Sequence, residues 1–220
     1  MVLNDAIVSS IADIGVIPVV AVDDVAQAEP LADALIQAGL PLAEITFRTP
    51  AAADVIERMR RARPEMLVGA GTVLTPGDVD RAVAAGARFA LSPGLVADTV
   101  SRASDRSLPF IPGVMTPADI GVCLNMGIRR MKFFPAMPAG GPDMLSALNA
   151  PYAHLHPGFI PTGGVTVDTI PDWFELDCVL AVGGTWIASR QMLADGDWQA
   201  VYDNACKAVA AVRACRSPAG

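Results

Sequence analysis

The feature that most constrains this chain is a repeat of local structure. Eight short apolar segments alternate with longer stretches rich in Ala, Asp, Glu and Arg. The segments are VIPVVAV (16–22), AEITF (43–47), MLVGAGT (66–72), RFALSPG (88–94), PFIPGV (109–114), RRMKFFPA (129–136), GFIPTGG (158–164) and CVLAVGG (178–184). They read as strands, starting roughly every 20 to 30 residues. The stretches between them place apolar residues at helical spacing, most clearly over 24–39 and 75–87, and several end on a glycine stop signal: Gly39, Gly86 and Gly127. Helical crossovers between successive strands imply parallel pairing. Eight such units predict an α/β fold, a closed (β/α)8 TIM barrel at the small end of its size range. An open doubly wound sheet is the alternative, but no G-x-G-x-x-G turn follows the first strand. Residues 2–13 predict a short N-terminal helix, 197–214 a trailing helix, and RSPAG at the end a frayed tail. No linker or low-complexity run divides the chain, so residues 1–220 are expected to form a single barrel domain.

Composition matters here mainly for the partners it excludes. Sixteen basic residues against twenty-three acidic give a net charge of −7, which argues against nucleic acid as a partner. A small anionic substrate needs only a local basic site. No uninterrupted apolar run is long enough to span a membrane, and the start of the chain lacks a basic segment before its apolar residues. Cys123, Cys178, Cys206 and Cys215 show no C-x-x-C spacing and read as reduced, mostly packed thiols of a cytoplasmic protein.

Strand periodicity then locates chemistry. In AEITFR, a period of two puts Glu44, Thr46 and Arg48 on one face and Ile45 and Phe47 on the other. The apolar pair should meet the helices, so the polar three should face the barrel interior; the alternatives are an internal Glu44–Arg48 pair that satisfies itself, or a strand end that reaches solvent. In the sixth segment, Arg130, Lys132 and Phe134 share a face opposite Met131 and Phe133. Lys132, one of only two lysines, is thus expected inside the barrel, across from Glu44. Lysine is almost never fully buried without a partner. One reading is a structural Lys132–Glu44 ion pair. The other is a nucleophile whose neutral form is favoured by burial and by the positive charge of Arg48, able to form a Schiff base with a carbonyl.

The last two strands end in PTGG (161–164) and VGGTW (182–186). Loops at these positions are the recurrent phosphate site of such barrels. Glycines admit close backbone approach, and the hydroxyls of Thr162 and Thr185 add donors. GAGTVLTP (69–76) leaves room at the mouth and offers the Thr72 hydroxyl, while Pro93 and Pro112 suggest rigid walls. His154 and His156 have no accompanying Cys or carboxylate cluster and read as loop residues.

Two stretches resemble one family closely. GLPLAEITFR (39–48) is similar to the G-x4-E-x-T-x-R signature of the 2-keto-3-deoxy-6-phosphogluconate and 4-hydroxy-2-oxoglutarate aldolases, and GIRRMKFFPAMPAGG (127–141) to the segment around their Schiff-base lysine. GAGTVL and PTGG are family-like as well, and the resemblance runs over about residues 10 to 195. It implies a homotrimer of barrels and a class I aldolase without metal or cofactor, acting on a phosphorylated keto acid. By the same resemblance Lys132 forms the imine, Glu44 is the general acid and base, and Arg48 and Thr72 hold the pyruvyl carboxylate. Gly163, Gly164, Gly184 and Thr185 hold the phosphate, and Phe134 and Pro93 shape the pocket. Thr162 keeps a hydroxyl associated with the gluconate-type C4 configuration. Thr185 departs from the serine that many relatives carry. The competing readings are the galactonate-type aldolase of the same family, a phosphosugar isomerase or epimerase with Glu44 as base, and a barrel that only binds phosphorylated metabolites.

Overall fold

The computed structural model describes residues 5–216. Strands and helices alternate as the repeat requires. The strands are β1 (Val16–Val20), β2 (Leu42–Thr46), β3 (Leu67–Gly71), β4 (Ala90–Leu91), β5 (Phe110–Ile111), β6 (Gly113–Val114), β7 (Arg130–Phe133), β8 (Gly158–Pro161) and β9 (Val182–Gly184). All pairings are parallel. The order β5-β4-β3-β2-β1-β9 continues through single bridges, Phe159 to Val179 and Thr162 to Gly183, into β8-β7-β6, which closes the ring.

The fifth segment departs from the single strand expected over 109–114. It is two short strands that meet at Pro112. Proline has no N–H to give a ladder, so pairing changes partner there: Ile111 bonds back to β4 and Pro112 only accepts, from the Lys132 N–H at 2.8 Å. The bent strand is what seats β6 beside the lysine strand, with Gly113 level with Lys132.

The helices are α1 (Asp5–Ile14), α2 (Ala28–Gln37), α3 (Ala52–Ala62), α4 (Pro76–Ala84), α5 (Ala97–Asp105), α6 (Pro117–Asn125), α7 (Gly141–Asn149), α8 (Ile170–Phe174), α9 (Arg190–Asp195) and α10 (Trp198–Arg216). The leading helix begins at Asp5, and residues 2–4 of its predicted span lie outside the described residues. The trailing helix runs two residues past 214, taking in Arg216, which binds the carbonyls of Ala12 and Asp13. The rest of the expected tail lies outside the described residues. The pattern over 24–39 splits into a short 3-10 turn and α2, because Pro30 can occupy only the first turn of an α-helix.

Helix endings follow the predicted glycines. Gly39, Gly86 and Gly127 have φ near +75 to +80°, which lets the next residue's N–H reach back into the last turn. Helices α4 and α6 start alike, on Thr-Pro-x-Asp capping boxes built by Thr75 with Asp78 and Thr116 with Asp119. These caps place the loops after β3 and β6 at the C-terminal end of the barrel.

The core is one contiguous cluster of Val, Ile, Leu, Ala and Phe between the strands' outer faces and the helices. Each fully buried large side chain there contributes about 1.5–3 kcal/mol. Ile45 is fully buried, and Met131 and Phe133 face outward as expected, with Phe133 edge-on to Trp173 of α8. Of the four free cysteines only Cys123 is fully packed, its thiol pushed up to about 12 by burial and by Asp119; the other three are half-buried.

Candidate active site

The inner faces of β2 and β7 meet across the barrel. Lys132 Nζ donates to Glu44 Oε1 at 3.0 Å and to Oε2 at 3.3 Å. Lys132 is 5% exposed and Glu44 1%. Two opposite charges are therefore held away from bulk water, where each pays a large desolvation penalty and neither is tolerated alone. The ammonium also lies 5.7 Å from the centre of the Phe134 ring, within cation–π reach.

Small neighbours make room for the pair. Glu44 is level with Val19 on β1 and Gly69 on β3. A Cβ on Gly71 would fall 2.2 Å from Glu44 Oε1. Gly113, level with Lys132, makes room for backbone instead: a Cβ there would strike the carbonyl of Pro93 at 2.2 Å, so its absence lets the segment after β4 lie against β6. The small residues of GAGT were expected to leave room at the mouth; the clearance Gly71 gives the Glu44 carboxylate, and the role of Gly113, show only in three dimensions.

Thr46 and Arg48 part company. Thr46 is buried on the inner face and donates to the Val20 carbonyl at 3.1 Å. Arg48, expected on that same face beside Lys132, is instead exposed. β2 ends at Thr46, so the period of two no longer applies two residues later. Its Nε donates to Thr46 Oγ1 at 3.1 Å, which anchors the side chain at the barrel mouth. The charged group in contact with the lysine is the carboxylate of Glu44. Phe47 lies under the Arg81 guanidinium of α4, 4.9 Å from its ring centre.

The other mouth residues fall where the strand ends put them. Thr72 follows β3 with φ +55°, a left-handed conformation that costs a non-glycine residue about 1 kcal/mol or more and recurs at functional positions. Pro93 and Phe134 are half-buried at the ends of β4 and β7. Thr162 is buried with its hydroxyl against Gly183, where a Cβ would come within 2.3 Å of Oγ1; it is tucked between β8 and β9. Gly163 and Gly164 have φ +101° and +80°, and the carbonyl of Gly163 accepts from the Met137 N–H at 2.9 Å. Only glycine makes that double left-handed turn freely. Gly184 ends β9 beside Pro18 of β1, and Thr185 is exposed just beyond it.

A cavity of about 290 Å³ opens at this side of the mouth, lined by Val19, Ala21, Arg48, Thr185, Ala188, Ser189 and Arg190. Arg190, which sequence reasoning passed over, forms a two-pronged ion pair with Asp23, holding that carboxyl below the usual range. No periodic pattern marks either residue; they meet because β9 and β1 are neighbours in the ring. His154 and His156 are exposed beside β8, and among the described residues no three His, Cys, Asp or Glu side chains converge as metal ligands would.

The sequence profile of the family described as "KDPG and KHG aldolase" matches residues 7–204. A 2-dehydro-3-deoxy-phosphogluconate aldolase of Haemophilus influenzae is 40% identical over 89% of this chain and 91% of its own. A KDPG aldolase from Legionella pneumophila, solved with pyruvate captured as a covalent carbinolamine intermediate, superposes with a TM-score of 0.86 at 36% identity, covering 92% of this chain and 97% of that one. The 2-keto-3-deoxy-6-phosphogluconate aldolase of Zymomonas mobilis, solved with 3-phosphoglycerate, also has a TM-score of 0.86 at 36% identity, over 98% of this chain and all of that one.

Proposed function

The chain belongs to the KDPG and KHG aldolase family, and from that premise we propose that it is a class I aldolase cleaving 2-keto-3-deoxy-6-phosphogluconate to pyruvate and glyceraldehyde 3-phosphate. The observation that carries the reading is the buried contact between Lys132 and Glu44, an amine and a proton acceptor 3.0 Å apart inside the barrel. Relatives named for this substrate, and a neighbour with pyruvate held covalently, support it.

The arrangement accounts for each step. Glu44 takes a proton from the Lys132 ammonium, and the freed amine attacks the C2 ketone. Glu44 returns that proton to the carbinolamine hydroxyl, which leaves as water and gives an iminium, the electron sink for the next step. Glu44 then removes the C4 hydroxyl proton, directly or through water. The C3–C4 bond breaks, its electron pair passing into the iminium to form an enamine. Glyceraldehyde 3-phosphate departs. Protonation at C3 and hydrolysis return pyruvate and the free lysine. Arg48, anchored by Nε on Thr46, offers its terminal nitrogens to the substrate carboxylate, and Thr72 offers its hydroxyl. Gly163, Gly164, Gly184 and Thr185 receive the phosphate, while Phe134 and Pro93 wall the imine and Thr162 supports the adjoining turn. Such positioning supplies several kcal/mol of rate acceleration.

Borohydride added with pyruvate tests the chemistry. The expected result is a stable mass increase on Lys132 in the folded protein. An unchanged mass would exclude the imine. A coupled pyruvate-release assay across the gluconate, galactonate and hydroxyoxoglutarate keto acids reads the substrate, with the highest kcat/KM expected for the phosphogluconate type.

The proposal extends to assembly as a homotrimer. Leu74, Val96, Met115 and Met137 are exposed and follow β3, β4, β6 and β7, so all four lie on one arc of the mouth end. Exposed apolar side chains grouped in this way favour burial against another copy.

A further inference from the structure

Arg48 and Arg190 line the same cavity as Thr185 and Ser189, and none of the residues lining it is acidic. In a chain with net charge −7 this gathers two guanidiniums at one place, that of Arg190 paired with Asp23. Under the reading above, on which this inference rests, Arg48 serves the carboxylate. The phosphate side then has backbone N–H groups and hydroxyls but no cation of its own, although a phosphate monoester carries close to two negative charges.

Arg190 is placed to supply that cation. It opens α9, five residues after Thr185. Its fork with Asp23 uses Nε and one Nη2 hydrogen. Of the five N–H donors a guanidinium carries, the others meet no acceptor among the described residues. Arg190 is 64% exposed and Asp23 49%, too open for the pair to matter much to stability. What the pair does is hold a flexible side chain at the cavity, with part of its ordering cost already met before a ligand arrives.

We propose that Arg190 is a specificity-determining residue for this reaction: held by Asp23 at the cavity beside Thr185, it binds the phosphate of the substrate and so selects phosphorylated over unphosphorylated keto acids.

The test compares wild type with Arg190→Ala, Arg190→Gln and Arg190→Lys on 2-keto-3-deoxy-6-phosphogluconate and on unphosphorylated 4-hydroxy-2-oxoglutarate. Arg190→Ala and Arg190→Gln are expected to raise KM for the phosphorylated substrate about tenfold with kcat within about twofold, to leave the unphosphorylated substrate unchanged, and to weaken inhibition by inorganic phosphate about tenfold, with partial recovery in Arg190→Lys. Equal loss on both substrates would mean that Arg190 merely supports the loop, and an unchanged ratio with unchanged phosphate inhibition would mean that it is a bystander; either overturns the inference. Borohydride trapping with pyruvate, which has no phosphate, keeps the two readings apart. Failure of wild type to trap pyruvate would sink the aldolase reading, whereas normal trapping with no shift in Arg190→Ala would sink only this one. Phosphate affinity measured by calorimetry on wild type and variant reads the Arg190 contact independently of turnover.

Discussion

Lys132 and Glu44 are each intolerable alone and compatible together, and this gives the pair two separable roles. Lys132→Met is expected to abolish the pyruvate–borohydride adduct and lower turnover by more than about a thousandfold. Glu44→Gln should lower kcat by about 10²–10⁴-fold, as loss of a general acid and base does. It should also cost about 3 kcal/mol in urea denaturation, because an ammonium buried at 5% exposure loses its counter-charge. The double variant Lys132→Met/Glu44→Leu should be inactive yet regain stability to within about 1 kcal/mol of wild type, since replacing both charges removes both desolvation penalties. A double variant as unstable as Glu44→Gln would contradict that account. Gly71→Ala tests the clearance: with a Cβ only 2.2 Å from Oε1 the carboxylate has to move, and about a hundredfold loss of kcat is expected, with the fold retained by circular dichroism. The polar alternation of AEITFR and the rarity of lysine made Glu44 and Lys132 legible in the sequence. For Arg48 the sequence left an inward face and a strand end reaching solvent both open, because periodicity says which face a residue takes and not where the strand stops; the structure takes the second.

At the scale of elements, βα units with repeated ends invite comparison within the chain. Helix α5 ends as α2, α4 and α6 do, with the same backbone return, but the left-handed position is Ser107 at φ +53° where the others have glycine. Ser107 is exposed and its hydroxyl serves no bond among the described residues. Ser107→Gly should therefore raise stability by about 0.5–1 kcal/mol, seen as a higher urea midpoint at unchanged slope. The capping box of α6 gives a pH-dependent case. Burial pushes the Asp119 carboxyl up, but hydrogen bonds from the Met115 N–H and from the Thr116 hydroxyl and N–H outweigh it and hold the group below the usual aspartate range. A depressed folded value means stability that is complete above the unfolded value of about 3.9 and is lost as pH falls through the lower folded one. Asp119→Ala should cost about 1 kcal/mol at pH 7, with the gap to wild type closing toward pH 3. A gap that stays constant over that range would rule out the charged cap.

For the whole molecule, the proposed homotrimer predicts sedimentation at three times the 22.9 kDa chain mass. Met115→Glu, which puts a charge in the apolar arc at the mouth, should shift it toward monomer in the same measurement. What the sequence determined by itself was the repeat, the inward face of each long strand, the glycine stops and the Gly163–Gly164 turn, because each follows from periodicity or from a conformation only one residue type adopts readily. The tertiary structure alone decided the break of the fifth strand at Pro112, the departure of Arg48 from the barrel interior, the clearance that Gly71 and Gly113 provide, and the meeting of Arg190 with Asp23. Those depend on distances between residues far apart in the chain, which are set only when the ring of strands closes.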